Sequence, residues 1–140
     1  MRNRLVVFSD GGARGNPGPG ASSFVVFHGR EELKRESKYL GKTTNNVAEY
    51  FGVLLAMKWI SKNFSLSEIN EVVFNLDSQL VARQLMGVYK IKQEKLKAIA
   101  TRIKTLQKNL DKKIIFIHIP REKNKLADKL VNETIDENTH

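Results

Sequence analysis

The chain has 140 residues, of which 41% are hydrophobic, and this suffices for one compact domain over 1–140 with little spare length. The absence of cysteine excludes disulfide frameworks and thiolate metal sites, and the apolar run at 5–8 is too short for a signal peptide or a membrane span. The net charge of +9 predicts a polyanionic partner such as nucleic acid, and we expect a monomeric, cytoplasmic protein without a membrane partner.

The first part of the chain predicts three strands that pair as a meander. Residues 5–9 are apolar on both alternating faces, as in a central strand that is covered on both sides. Residues 11–20 contain five glycines and two prolines, and this composition predicts a loop. Residues 22–28 and 32–40 are predicted to be strands joined by a turn at 29–30, and to pair antiparallel with each other and with the first strand.

Helices and strands alternate over the remainder of the chain. Apolar residues at helical spacing predict a helix over 45–63, and Thr43, Thr44 or Asn45 can cap its start. The later elements are predicted to be a strand at 69–76, helices at 78–86 and 96–110, a strand at 113–119 and a final helix at 123–135. A polar tail, predicted to be frayed, follows from about residue 137. This order predicts an α/β fold with a mixed five-stranded sheet, its first, fourth and fifth strands parallel, and helices on its faces.

Four carboxylates fall where this fold would gather them. Asp10 and Asp77 follow central parallel strands, at the sheet edge where open α/β folds place their sites. Glu49 lies in the first turns of the first helix, and Asp128 lies on the last helix. Each acid has a structural alternative when taken singly. Asp10 before glycine is a common turn residue, Asp77 can cap the next helix, and the helix dipole favours Glu49.

Carboxylates that converge repel one another, so a cluster of them requires cations. Oxygen ligands without cysteine and with few histidines favour Mg²⁺ or Mn²⁺ over Zn²⁺. Two such ions about 4 Å apart can activate water and stabilise the leaving oxygen of a phosphodiester. The acids therefore predict a metal-dependent reaction on phosphate esters.

Positive charge is concentrated between residues 83 and 113. Ten basic residues lie in this segment against two acidic ones, Glu94 and Asp111, so the segment carries +8. This pattern favours a nucleic-acid partner. A solvated surface helix is the alternative interpretation.

The segments around the four acids resemble the motifs of type 1 ribonucleases H. They are found, in the order of that family, at 8–20, 43–49, 76–81 and 124–128. The resemblance implies the ribonuclease H-like fold with strand order 3-2-1-4-5 and a catalytic site in which two Mg²⁺ or Mn²⁺ ions are bound. The implied catalytic and metal-binding residues are Asp10, Glu49, Asp77 and Asp128. The implied reaction hydrolyses the RNA strand of an RNA–DNA hybrid, leaving 5′-phosphate and 3′-hydroxyl ends.

The resemblance also implies contacts with both strands of the hybrid. The residues implied to face the minor groove and the RNA 2′-hydroxyls are Gly11, Asn45 and Gln79. Those implied to touch the DNA strand, including a phosphate, are Asn16, Thr44 and Asn46. A 2′-hydroxyl is what distinguishes RNA from DNA locally, and small polar groups and glycine backbone can approach it closely. Helix capping is the alternative role for residues 43–46.

Two features differ from the best-known bacterial members. Those members carry a basic protrusion, which is an extra helix and loop inserted after the second helix. It is missing here, because residues 87–92 lead directly into the next long helix, as in shorter archaeal-like members. We expect Lys90, Lys92 and the basic face of 95–108 to bind the hybrid instead. The histidine loop is shortened to 117–122, so we interpret His118 as structural and Arg121 as a candidate accessory residue near the scissile phosphate.

The sequence disfavours three other classes of protein. A nucleic-acid-binding module without catalysis is disfavoured because all four acids are present. An integrase-like or exonuclease domain is disfavoured by the Asn, Thr and Gly set, which suits recognition of a 2′-hydroxyl. A domain from a polymerase polyprotein is disfavoured by the start at Met1 and by the full set of motifs. The glycine-rich segment is no nucleotide-binding P-loop, since it lacks the Lys-Ser/Thr ending.

Overall fold

A computed structural model describes residues 3–63 and 69–139, which form five strands, four α-helices and one short 3₁₀ turn. The strands are β1 (Arg4–Ala13), β2 (Gly18–His28), β3 (Glu31–Thr43), β4 (Glu71–Leu76) and β5 (Lys113–His118). The α-helices are α1 (Asn45–Asn63), α2 (Gln79–Leu85), α3 (Glu94–Leu110) and α4 (Lys125–Asn138), and the 3₁₀ turn is Arg121–Lys123. None of the helices in these described residues combines the length and apolar character needed to cross a membrane.

The five strands form one mixed sheet in the order β3-β2-β1-β4-β5, which confirms the predicted order. β1 pairs antiparallel with β2, and β2 pairs antiparallel with β3. β4 pairs parallel with both β1 and β5, as expected when helical crossovers join the strands. The carboxyl ends of β1 and β4 therefore lie side by side at the centre of the sheet.

Helices cover both faces of the sheet, as predicted. Adjacent serines of β2 show this, because successive side chains of a strand point to opposite faces. Ser22 Oγ donates a hydrogen bond of 2.6 Å to the Ala48 carbonyl of α1, whereas Ser23 Oγ donates one of 2.6 Å to the Ala127 carbonyl of α4. α3 packs on α1, and its buried stripe contains Leu96, Ile99, Ile103 and Leu110.

The predicted loop over 11–20 is wrong at both of its ends. β1 continues to Ala13 and β2 begins at Gly18, so that a four-residue turn, 14–17, is left between them. The glycine content reflects close packing rather than a long loop. A Cβ atom on Gly11 would lie 2.1 Å from the carbonyl carbon of Ala48, and one on Gly20 would lie 2.4 Å from the Thr43 side chain.

Most other predicted boundaries hold to within two residues. α1 covers 45–63 as predicted, while β4 begins at Glu71 rather than at residue 69. α4 begins at Lys125 and extends to Asn138, so the predicted frayed tail is wrong at 137–138; His140 lies outside the described residues. Side chains of the tail bond back to the helix: Asn138 Nδ2 donates to the Thr134 carbonyl at 2.8 Å.

Candidate active site

Three of the predicted carboxylates meet at the carboxyl ends of β1 and β4. Oxygen atoms of Asp10, Glu49 and Asp77 all lie within 4.8 Å of one another. The parallel register of β1 on β4 runs to Phe8 opposite Asn75, which places Asp10 and Asp77 next to each other just beyond it. The sheet thus brings together two acids that are 67 residues apart in the sequence.

Glu49 reaches the two aspartates because α1 lies unusually close to β1. Gly11 permits this contact, since the main chain of Ala48 and Glu49 fills the space where a Cβ would be. Gly52 permits a second contact one turn later, where a Cβ would lie 2.8 Å from the Asp10 carbonyl oxygen. Close packing of helix on strand therefore fixes the distance between Glu49 and Asp10.

Two of the three carboxylates are buried, and the cluster is electrostatically unfavourable without cations. Asp10 is 5% exposed and Glu49 is 8% exposed. The pKa of Asp10 is raised to about 8, mainly by burial and secondly by the charge of Asp77. Burial, and next the charge of Asp10, also raise the pKa of Glu49 well above its usual value. Among the residues that the structure describes, Glu49 Oε2 has no hydrogen-bond partner, so this oxygen is available to a cation.

The raised pKa of Asp10 predicts a pH-dependent stability of the metal-free protein. Between the ordinary value of 3.8 and about 8, the folded chain holds a proton that the unfolded chain has released. The free energy of unfolding should therefore fall as pH rises through this range, by at most about 1.4 kcal/mol per pH unit from this group. Urea denaturation in EDTA between about pH 5 and about pH 8 measures it. Identical pH dependence in wild type and Asp10→Asn would contradict the expectation.

Asp128 faces the same cavity without belonging to the close group of three. The cavity has a volume of about 510 Å³, and the four acids, Gly11, Gly12, Asn45, Asn46 and Arg121 are among its lining residues. Asp128 lies in the first turn of α4 and is half-buried. Asn132, one turn later, donates to the Asp128 carbonyl at 3.0 Å and to its Oδ1 at 3.4 Å, which orients this carboxylate.

Asn124, in the motif at 124–128, is a further site residue for which the sequence predicts no role. It is 1% exposed, and its Nδ2 donates to the Ser9 carbonyl at 2.9 Å and to Asp77 Oδ2 at 3.3 Å. It therefore connects the start of α4 to the ends of β1 and β4. Its place four residues before Asp128 was the signal available in the sequence.

The predicted substrate-binding residues at the start of α1 form a hydrogen-bonded network with the 14–17 turn. Asn16 Oδ1 accepts from the Asn45 backbone at 3.0 Å, and Asn45 Oδ1 accepts from the Ala13 backbone at 2.9 Å. Thr44 Oγ1 accepts from the Val47 backbone at 3.3 Å, so Thr44 caps α1. These contacts hold polar groups at the rim of the cavity.

The remaining predicted contacts lie outside the cavity lining. Gln79, Lys90, Lys92 and His118 are all exposed. His118 is the last residue of β5 and pairs with Leu76 through the backbone, while its side chain is not part of the core. Arg121, by contrast, lines the cavity, and its positive charge opposes the rise in the pKa of Asp10 and of Glu49.

Comparison with known proteins identifies relatives of this site and fold. The family model described as reverse transcriptase-like matches residues 8–134. The structure of LC11-RNase H1, solved in complex with an RNA/DNA hybrid, superposes with a TM-score of 0.91 at 40% identity, covering 97% of this chain and 99% of that one. That protein was isolated from compost by a metagenomic approach. RNase H1 of the archaeon Halobacterium salinarum superposes with a TM-score of 0.86 at 31% identity, covering 96% and 98%.

The chain is shorter than several relatives that it matches. It covers 36% of the bifunctional protein Rv2228c of Mycobacterium tuberculosis, at 32% identity over 95% of this chain. It covers 65% of the ribonuclease HI of Halobacterium salinarum, at 34% identity over 96% of this chain. The solved N-terminal RNase H domain of the mycobacterial protein has a TM-score of 0.85, covering 93% of this chain and 97% of that domain. Fold, carboxylate cluster and relatives agree, and the chain belongs to the type 1 ribonuclease H family.

Proposed function

We propose that this chain is an endonuclease that hydrolyses the RNA strand of RNA–DNA hybrids and leaves 5′-phosphate and 3′-hydroxyl ends. The observation that carries the proposal is the group of three carboxylates within 4.8 Å, two buried and one partly buried, which line an open polar cavity. The relative at 40% identity that was solved with an RNA/DNA hybrid supports this choice of substrate.

The donor set suits Mg²⁺ or Mn²⁺. It consists of carboxylate oxygens, and one of them, Glu49 Oε2, is buried without a partner among the described residues. Asp10 and Asp77 are the proposed central ligands, Glu49 an additional ligand, and Asp128 the ligand at the outer side of the cavity. When bound, a pair of such ions supplies an activated water and stabilises the leaving oxygen of the phosphodiester.

The chain's own residues would position the hybrid around this centre. We place the RNA sugar edge against Gly11, Asn45 and Gln79, because backbone and amide groups there can bond a 2′-hydroxyl. We place the DNA strand against Asn16, Thr44 and Asn46. The hydrogen bonds from Ala13 to Asn45 and from Asn45 to Asn16 support this arrangement, since they hold both asparagines rigid before substrate arrives.

Arg121 is the proposed phosphate-binding residue of the site. Among the described residues, its guanidinium forms no ion pair with a carboxylate. It nevertheless lines the same cavity as the four acids. Replacing Arg121 with Ala should lower kcat about 10- to 100-fold, because one bidentate contact with the reacting phosphate is lost. Single-turnover cleavage measures this. The control is Lys123→Ala, which removes another exposed cation from the same 3₁₀ turn. Equal losses in the two variants would contradict a specific role for Arg121.

Lys90 and Lys92 are the proposed backbone contacts beyond the cavity. Both are exposed in the segment between α2 and α3, and they join the basic face of α3. If each lysine neutralises one phosphate, binding by the double Ala variant should depend less on salt. The magnitude of the negative slope of log K against log salt should decrease by about 2. Binding of a labelled hybrid at several salt concentrations measures the slope. The matched control is Arg30→Ala with Lys34→Ala, near the β2–β3 turn at the far end of the sheet. An unchanged slope in the Lys90 and Lys92 variant would contradict this contact.

The substrate class is tested with three end-labelled duplexes: RNA–DNA, RNA–RNA and DNA–DNA. We expect cleavage of the RNA strand of the hybrid, with products that a ligase accepts at their 5′-phosphate and 3′-hydroxyl ends. Cutting of the DNA–DNA duplex at a comparable rate would contradict recognition of the 2′-hydroxyl.

A further inference from the structure

A buried polar chain connects α1 to the segment that carries Lys90 and Lys92. Tyr50, which is fully buried, donates its hydroxyl to Gln84 Oε1 at 2.6 Å. Gln84, which is 7% exposed, donates from Nε2 to the Lys90 carbonyl at 3.3 Å. Tyr50 is also the residue next to the catalytic-site acid Glu49. The chain of bonds therefore runs from the helix of the carboxylate cluster to the backbone of a proposed phosphate contact.

Besides this bond, the 86–93 segment is held by Ile91, which packs against the core, and by contacts with α2. Residues 86–90 are exposed, including Val88, whose side chain is 65% exposed. Its first half is held by α2, because the backbone amides of Val88 and Tyr89 donate to the Arg83 carbonyl at 2.9 and 3.2 Å. The Arg83 guanidinium also donates to the Tyr89 hydroxyl at 2.6 Å. Gln84 extends this anchoring to Lys90, where the basic half of the segment begins.

Packing alone does not explain a buried tyrosine and a buried glutamine at these positions. Burying polar groups in a core is unfavourable unless each is hydrogen-bonded, and an apolar pair of similar size would fill the same space. The two bonds also fix the orientation of the Gln84 amide, with oxygen toward Tyr50 and nitrogen toward Lys90. Burial raises the pKa of Tyr50 to about 12, so its hydroxyl stays protonated and remains a donor.

We infer that Gln84 is a positioning residue that fixes Lys90 and Lys92 relative to α1, and thereby sets where the hybrid backbone is held with respect to the carboxylate cluster. The inference rests on the proposed role of the two lysines. Gln84 and Tyr50 are too buried to touch nucleic acid themselves. Their effect on binding must therefore pass through the 86–93 segment.

The test measures hybrid binding in protein that also carries Asp10→Asn, so that cleavage does not interfere. Gln84→Met keeps the length of the side chain and removes both hydrogen bonds. We expect the Kd for the hybrid to rise about threefold to tenfold, the factor that corresponds to loss of the one hydrogen bond from Gln84 to the Lys90 segment. The salt slope should fall toward that of the Lys90→Ala, Lys92→Ala variant. Added to that double variant, Gln84→Met should have no further effect.

Two additional variants separate positioning from general loss of stability. Tyr50→Phe removes only the hydroxyl that bonds to Gln84. It should shift the Kd and the salt slope in the same direction as Gln84→Met, and it provides the test if Gln84→Met does not fold. Thr134→Val removes a partly buried hydrogen bond of 2.6 Å to Ser37 at the opposite edge of the sheet, and should leave the salt slope unchanged. A wild-type Kd and slope in both Gln84→Met and Tyr50→Phe, or an effect that simply adds to that of the lysine variant, would overturn the inference. If the lysine variant itself binds like wild type, the proposed role of the lysines fails instead.

Discussion

Replacing Asp10 with Asn should abolish cleavage of the hybrid while leaving the fold intact. Asp10 is the acid that β1 places within 4.8 Å of both Glu49 and Asp77, and an amide is a poor substitute for a carboxylate as a ligand of Mg²⁺ or Mn²⁺. Metal-ion stabilisation of the transition state is worth several kcal/mol, so we expect a loss of about a thousandfold or more in kcat. Single-turnover cleavage of an end-labelled hybrid measures it, with circular dichroism to verify the fold.

The same substitution should raise the stability of the metal-free protein near neutral pH. It removes a buried group whose ionisation is opposed by burial and by the charge of Asp77. The matched control is Asp111→Asn, the same chemical change at an exposed left-handed residue with φ of 52°, a conformation that Asn accepts. A folded Asp10→Asn protein that cuts at the rate of the control would remove Asp10 from the catalytic site.

Gly11→Ala should be among the most destabilising single substitutions in the chain. Its Cβ would lie 2.1 Å from the Ala48 carbonyl carbon and 2.4 Å from the Glu49 nitrogen, and both atoms belong to the main chain of α1. A side-chain rotation cannot relieve this clash, so α1 and β1 must move apart. We expect a loss of about 3 kcal/mol or more in the free energy of unfolding. Activity should fall as well, since Glu49 would move away from Asp10.

Gly12 provides the matched control for this prediction. A Cβ there would lie 3.8 Å from Val131 and 3.9 Å from Asn45 Oδ1, which is ordinary van der Waals contact. Gly12→Ala should therefore change stability by less than about 1 kcal/mol. Urea denaturation of both variants in EDTA gives the comparison. Similar stabilities for the two would show that α1 does not require the close approach at Gly11.

The elements that the sequence predicted well are those with long apolar segments and clear caps. α1 was predicted at its observed bounds because apolar residues continue through it on most sides of the helix and because Thr44, one of the cap candidates, does cap its start. The glycine-rich segment was predicted poorly because composition does not reveal why a glycine is present. Gly15 has a φ of 88° and is a turn residue, whereas Gly11 lies in a strand and makes room for a helix. Only the packed structure separates these two uses.

The site shows the same division between local and long-range information. The convergence of Asp10 and Asp77 followed from strand order, since two adjacent parallel strands end at the same edge. The role of Asn124 did not, because its partners Ser9 and Asp77 are distant in sequence. The buried bonds of Gln84 to Tyr50 and Lys90 were equally invisible in a single sequence, because residue type alone does not say which polar groups pair inside a core.

Divalent cations and the carboxylate cluster should together be needed to cut the RNA strand of a hybrid. The decisive experiment follows an end-labelled hybrid with wild-type and Asp10→Asn protein in Mg²⁺, in Mn²⁺ and in EDTA. We expect cleavage of the RNA strand by the wild type with at least one of the two metals, and none in EDTA or by Asp10→Asn. Intact hybrid under every condition, while the protein still binds it, would overturn the proposed function and show a binding module without catalysis.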